Sequence, residues 1–83
     1  MTYSVDWNEA ALAIAAGYIT DDPKGLDELF EALDQLADEP RPRNSQAMTT
    51  PDLRRLRVGH YRVLYEILDS VGSIIVIHIG RVG

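Results

Sequence analysis

The hydrophobic pattern predicts an α+β fold of order β-α-α-β-β-β, with a two-helix hairpin packed on one face of a mostly antiparallel four-stranded sheet. Three observations carry that expectation. Residues 3–7 alternate with a period of two, residues 9–37 place apolar side chains at helical spacings, and the period of two returns between Leu53 and Ile79. At 83 residues the chain has room for one domain, spanning residues 1–83. A chain of this length buries only about 60% of its unfolded surface and cannot supply a second core.

Each element has a local reason. Tyr3, Val5 and Trp7 point one way and Thr2, Ser4 and Asp6 the other, as in a strand with one buried face. Asn8 offers a helix N-cap, and Glu9 places a negative charge in the first turn. The alanine-rich run Ala10–Ala16, with Leu12 and Ile14, follows, and Gly17 is the expected stop. Asp22 caps the second helix, with Pro23 at its first position, where the missing N–H costs nothing. Leu26, Leu29, Phe30, Leu33, Leu36 and Ala37 form its core-facing stripe, and Pro40 ends it. Asp27, Glu31, Asp34 and Asp38 form a second row, which reads as a solvated outer face or as a docking surface for a basic partner.

Residues 41–52 show no period and contain two prolines, the mark of a functional or mobile connection. Strands are expected at Leu53–Val58, Tyr61–Asp69 and Ser73–Ile79, joined by Gly59-His60 and Ser70-Val71-Gly72, with a short tail from Gly80 to Gly83. The β-branched last strand reads as central and covered on both faces.

The net charge of −5 conceals a polarised chain. Residues 1–40 sum to −9 and residues 41–83 to +4. Between residues 41 and 62 stand six arginines and one acid, Asp52. The absence of cysteine excludes disulfides, thiol chemistry and thiolate metal sites, and His60 and His78 have no metal-site spacing, so neither a metal nor a cofactor is expected. No apolar run approaches the ~20 residues needed to span a bilayer, and the first residues lack the pattern of a signal peptide. No membrane partner and a cytoplasmic location are therefore expected.

Strand parity sorts the basic residues. With Tyr61, Val63, Tyr65 and Ile67 on the core side, Arg62 faces away from the helices, as do Arg55 and Arg57 beside Leu56 and Val58. Arg81 follows the last strand and is expected to join them, next to the connection carrying Arg41 and Arg43. Guanidinium groups are planar, bidentate donors to phosphate, so this face suits RNA or another phosphate ligand. A solvated face that blunts edge pairing would show the same parity. Arg54 falls with the core-facing residues and is expected to snorkel. His60, in a turn, is either passive or a proton-transfer group. His78 shares parity with Ile74 and Val76 and reads as a hydrogen-bonded sheet residue.

The segment Asp52-Leu-Arg-Arg-Leu-Arg-Val-Gly-His-Tyr-Arg-Val-Leu-Tyr-Glu-Ile67 resembles the signature of the RelE/ParE superfamily of toxins: a basic strand, a glycine-containing turn, Tyr-Arg, and an apolar strand with a second tyrosine. Val76-Ile-His-Ile-Gly-Arg81 is similar to the family's final strand and its Gly-basic ending. The resemblance implies a toxin of a bacterial toxin–antitoxin pair, neutralised by an antitoxin that wraps it. RelE-like members enter the ribosomal decoding site and cut messenger RNA by attack of a ribose 2′-hydroxyl on the adjacent phosphodiester. ParE-like members poison DNA gyrase instead. On the RelE-like pattern, Arg62 contacts the scissile phosphate, Arg55 stabilises the transition state and Arg81 is the basic residue after the last glycine. Arg57, Arg41 and Arg43 would then bind flanking phosphates. Leu53 stands where RelE-like enzymes often carry a lysine. The Tyr or His that the family places after the last strand is absent from Arg81-Val82-Gly83, which leaves His60 as the candidate for proton transfer. The alternatives are a gyrase poison and a weakened toxin that chiefly binds its antitoxin.

Overall fold

A computed structural model describes residues 2–82. It contains strand β1 (Ser4–Trp7), helices α1 (Glu9–Asp21) and α2 (Pro23–Gln35), and strands β2 (Ser45–Ala47), β3 (Leu53–Val58), β4 (Tyr61–Leu68) and β5 (Ser73–Arg81). The five strands form one sheet in the order β1-β5-β4-β3-β2. β1 runs parallel to β5, and the other pairs are antiparallel. Both helices lie on one face, α1 against β5 and α2 against β3.

The helix starts follow from their caps. The Asn8 side chain accepts from the Ala11 N–H at 3.1 Å, and Asp22 accepts from Gly25 N–H at 3.1 Å. Between the helices and the sheet lie Leu26, Leu29, Leu33 and Leu36 from α2 and the chain just after it, with Ala11 and Ala15 from α1. They meet Leu56, Tyr61, Val63, Tyr65, Ile67, Ile74, Val76 and Ile79. Each fully buried leucine contributes about 1.5–3 kcal/mol. The buried residues of α1 are both small, Ala11 and Ala15. The two buried tyrosine hydroxyls are satisfied: Tyr65 donates to the Pro40 carbonyl at 2.7 Å and Tyr61 to the Asp22 carboxylate at 2.8 Å. These bonds tie the start of α2 and the chain that follows it to the sheet.

The sequence-based fold class holds, with four differences in detail. The sheet has five strands rather than four and is mixed. The added strand, β2, lies inside the connection expected to be irregular; it has three residues, too few for a period to register, and it pairs Ser45, Gln46 and Ala47 with Leu56, Arg55 and Arg54. α1 runs through Gly17 to Asp21, because the alanine-rich turns before Gly17 sustain it, and Asp22 terminates it with an N–H bond to the Tyr18 carbonyl. β5 is central but covered on one face, with Ile75 and Ile77 half-buried on the strand's other positions, and it extends through Gly80 and Arg81, which were expected in the tail. Gly83 lies outside the described residues.

The fourth difference bears on function. β4 and β5 shift register between Leu64 and Tyr65: Leu64 pairs with His78 and Tyr65 with Val76, which leaves Ile77 as an extra, unpaired residue. A bulge of this kind inverts side-chain parity beyond it. Ile74 and Val76 point to the core before the bulge, and Ile79 does so after it. His78 is therefore exposed on the helix-free face, opposite Leu64, not on the face of Ile74 and Val76.

Candidate phosphate-binding site

On the helix-free face, β2, β3 and β4 form a cleft of about 350 Å³ lined by Arg43, Asn44, Ser45, Gln46, Arg55, Arg57 and Arg62. The hairpin between β3 and β4 sets its geometry. Gly59 takes φ +57°, a conformation that side-chain-bearing residues rarely adopt, so Arg57 and Arg62 pair directly across the two strands. The Arg62 Nη1 donates to the Gly59 and Tyr61 carbonyls at 3.0 and 2.9 Å, which fixes the guanidinium against its own turn. Gln46 pairs with Arg55 across β2 and β3, so the edge strand supplies a neutral amide at the cleft wall. Asn44 donates to the Arg57 carbonyl at 2.8 Å and holds the start of β2 against β3. Arg43 reaches the cleft because β2 folds the connection back onto the sheet.

Like charges directly opposite one another destabilise a strand pair. Arg57 and Arg62 are so placed, and among the described residues no carboxylate lies within ion-pair distance of either, or of Arg43 or Arg55. The sites that do have partners lie elsewhere. Arg41 was expected beside this face. Instead it bonds to Asp52 at 2.8 Å and to Asp69 at 3.3 Å, contacts that stabilise its charged form, Asp52 most strongly. Asp69 also accepts from the Tyr3 hydroxyl, which is the main cause of its lowered pKa. Arg41 thus closes a polar clasp between the connection and the ends of β1 and β4.

Arg81 departs further from expectation. It pairs with Tyr61, on the helix side of the sheet, and not with the other arginines. Its guanidinium bonds to Asp21 at the end of α1 and lies 5.8 and 5.7 Å from the ring centres of Tyr18 and Tyr61. The bulge in β5 turns it there. His60 is not in the cleft either; it lies close enough to Asp22 to favour that carboxylate's charged form, although the Tyr61 hydroxyl and Gly25 amide lower the Asp22 pKa more. Tyr61 responds in the opposite direction, raised first by burial and then by the bond to Asp22. Arg54 keeps its expected core-side parity and donates to Ser45 Oγ at 3.0 Å. Leu53, opposite Glu66, adds no cation. Of the sequence-derived site residues, the structure therefore brings together Arg43, Arg55, Arg57 and Arg62. It adds Asn44 and Gln46, for which the sequence held no periodic signal, and places Arg41, Arg81 and His60 apart. No group of three or more potential metal ligands occurs among the described residues.

The profile of the family described as "ParE toxin of type II toxin-antitoxin system, parDE" matches residues 5–83. The chain belongs to that family. The toxin has the fold of solved RelE and ParE proteins. It aligns with the toxin–antitoxin complex RelBE2 from Mycobacterium tuberculosis at a TM-score of 0.80 and 23% identity, covering 98% of this chain and 99% of that one. With the archaeal RelE–RelB complex from Pyrococcus horikoshii the TM-score is 0.79 at 27% identity, over 100% and 98% of the two chains. The chromosomal ParDE system from P. aeruginosa gives 0.73 at 17% identity, over 99% and 98%. No curated protein is similar enough to add to this assignment. The toxin is thus a RelE/ParE-superfamily member of a type II toxin–antitoxin system, with the arginine cleft as its candidate site. None of its described helices is long and apolar enough to cross a membrane.

Proposed function

We propose that this toxin is a RelE-like endoribonuclease that cleaves messenger RNA on the ribosome, with Arg55, Arg57 and Arg62 stabilising the reacting phosphate and Arg43 binding a neighbouring one. The observation that carries this reading is the cleft itself: four guanidiniums converge there without a carboxylate partner among the described residues, and two of them face each other directly. Such an arrangement is costly until an anion enters. Attack of a ribose 2′-oxygen on phosphorus adds negative charge to the non-bridging oxygens, and preorganised cations at that point lower the barrier most. Gyrase poisoning is the second reading, favoured by the family profile, which is that of ParE toxins.

The partner proposed in either case is a cognate antitoxin, as in the RelBE2 and archaeal RelE–RelB complexes. The surface of α1 that carries Leu12 (56% exposed) and Ile19 (43%) offers apolar area for it to cover. Expression of the toxin without antitoxin is expected to arrest translation and growth, and Arg62→Ala with Arg55→Ala is expected to relieve both. Undiminished toxicity of that double variant would overturn the ribonuclease reading.

A further inference from the structure

Among the described residues, the lining of the cleft holds no ready proton donor for the proposed reaction. Its lining side chains are arginine, asparagine, serine and glutamine. Guanidinium does not lose its proton in proteins, and none of the others exchanges one readily near neutral pH. A departing 5′-alkoxide needs a proton, and a positioned general acid supplies about 10²–10⁴-fold in rate. His60, Tyr18, Tyr61 and His78 all lie outside the cleft lining; the two tyrosines lie with Arg81 on the helix side of the sheet, whereas His78 shares the cleft's face, one strand beyond Arg62.

We infer that His78 is the proton-transfer residue of this site, an assignment that rests on the ribonuclease reading above. The bulge at Ile77 puts His78 on the same sheet face as Arg62, and it is exposed there. Gly80 is the residue paired with Arg62. A Cβ on Gly80 would lie 3.9 Å from His78 Nε2, so the imidazole leans along β5 over the glycine, towards the strand position opposite Arg62. With glycine at position 80, no side chain of β5 stands between the imidazole and the strand position opposite Arg62. The charged groups facing His78 are Arg62 on β4, diagonally across from it, and Glu66, beyond Leu64 on the same strand; Asp6 on β1 pairs further back, with Ile75. Imidazole is the side chain suited to give and recover a proton between pH 5 and 8.

In the reaction, the 2′-hydroxyl gives its proton to water as its oxygen bonds to phosphorus. The P–O5′ bond breaks, and the departing 5′-oxygen takes the proton from His78 Nε2. The products are a 2′,3′-cyclic phosphate and a 5′-hydroxyl, and solvent reprotonates the imidazole. Arg62, held by its own turn, keeps the phosphate between the two side chains.

The test compares wild type, His78→Ala, His78→Gln and Arg62→Ala on a short messenger RNA bound in programmed ribosomes. It is run across pH and with two substrates, one normal and one carrying sulfur in place of the scissile 5′-oxygen. Both His78 variants are expected to cut the normal RNA about 10²–10⁴-fold more slowly and to lose one limb of the pH–rate profile. On the sulfur-bridged RNA, whose leaving group departs without a proton, they are expected to return close to the wild-type rate. Arg62→Ala is expected to be slow on both. Equal rates for wild type and the His78 variants on normal RNA, with Arg62→Ala slow, would overturn the His78 assignment alone. So would a loss in the His78 variants that is the same on both substrates. Absence of cleavage by the wild type would overturn the ribonuclease reading and this assignment with it.

Discussion

The salt dependence of RNA binding separates a phosphate-binding cleft from a merely charged surface. Four guanidiniums line the cleft, and none has a carboxylate partner among the described residues. If each neutralises one phosphate of a single strand, log K falls with log salt at a slope of about −2.8, at about −0.7 per phosphate. Raising salt from about 50 to about 200 mM then weakens binding roughly 50-fold. Arg57→Ala should reduce the slope to about −2.1 and the loss to roughly 20-fold. Arg41, engaged by Asp52 and Asp69, provides the control, because replacing it removes no free cation from the cleft. Fluorescence anisotropy of a labelled single-stranded RNA across that salt range gives both slopes. A slope that Arg57→Ala leaves unchanged, or that Arg41→Ala lowers as much, would refute the reasoning.

Two predictions concern the scaffold. Gly17 lies inside α1 with nothing within 4 Å of the position a Cβ would take, whereas a Cβ on Gly25 would collide with the Asp22 carboxylate that caps α2. Gly17→Ala should therefore stabilise by about 1 kcal/mol, raising the Tm by about 4–8 °C, while in Gly25→Ala the lost cap costs about 0.5–2 kcal/mol and cancels or outweighs the same helix gain. Thermal unfolding followed by circular dichroism measures both; equal shifts of one sign would contradict the cap geometry. The second concerns pH. The Tyr61 hydroxyl and the Gly25 amide hold the Asp22 pKa below the ordinary carboxylate value, so its contribution is complete above about pH 4 and is lost as pH falls through the lowered pKa. The Tm of Asp22→Asn should fall less steeply than that of the wild type below about pH 4, and parallel curves would count against that role for Asp22.

Parity recovered the arginine face where the strands are regular. Leu56 and Val58 fix the inward side of β3, so Arg55 and Arg57 had to face outward, and Tyr61, Val63 and Tyr65 did the same for Arg62. The same reasoning failed beyond Ile77, since one extra residue in β5 reverses every later assignment and no residue type in Val76-Ile77-His78-Ile79 announces it. That single bulge moved Arg81 to the helix side and His78 to the open face. Arg41 was misplaced for a different reason. Its partners, Asp52 and Asp69, stand 11 and 28 residues away and meet it only through the tertiary fold. Gln46 entered the cleft through a three-residue strand too short to carry a pattern, and Asn44 through the residue just before it. The family signature, by contrast, sits in β3, the hairpin and β4, where local sequence and tertiary structure agree.

On the proposed function, the arginine cleft acts on an RNA phosphate. Mapping the ends of messenger RNA after induction of the wild type and of Arg62→Ala, alongside the state of chromosomal DNA, tests it most directly. The wild type should produce cut messages with 2′,3′-cyclic phosphate and 5′-hydroxyl ends on intact DNA, and the variant should leave the messages whole. Intact messages accompanied by broken DNA and an induced damage response would contradict the account and point to gyrase.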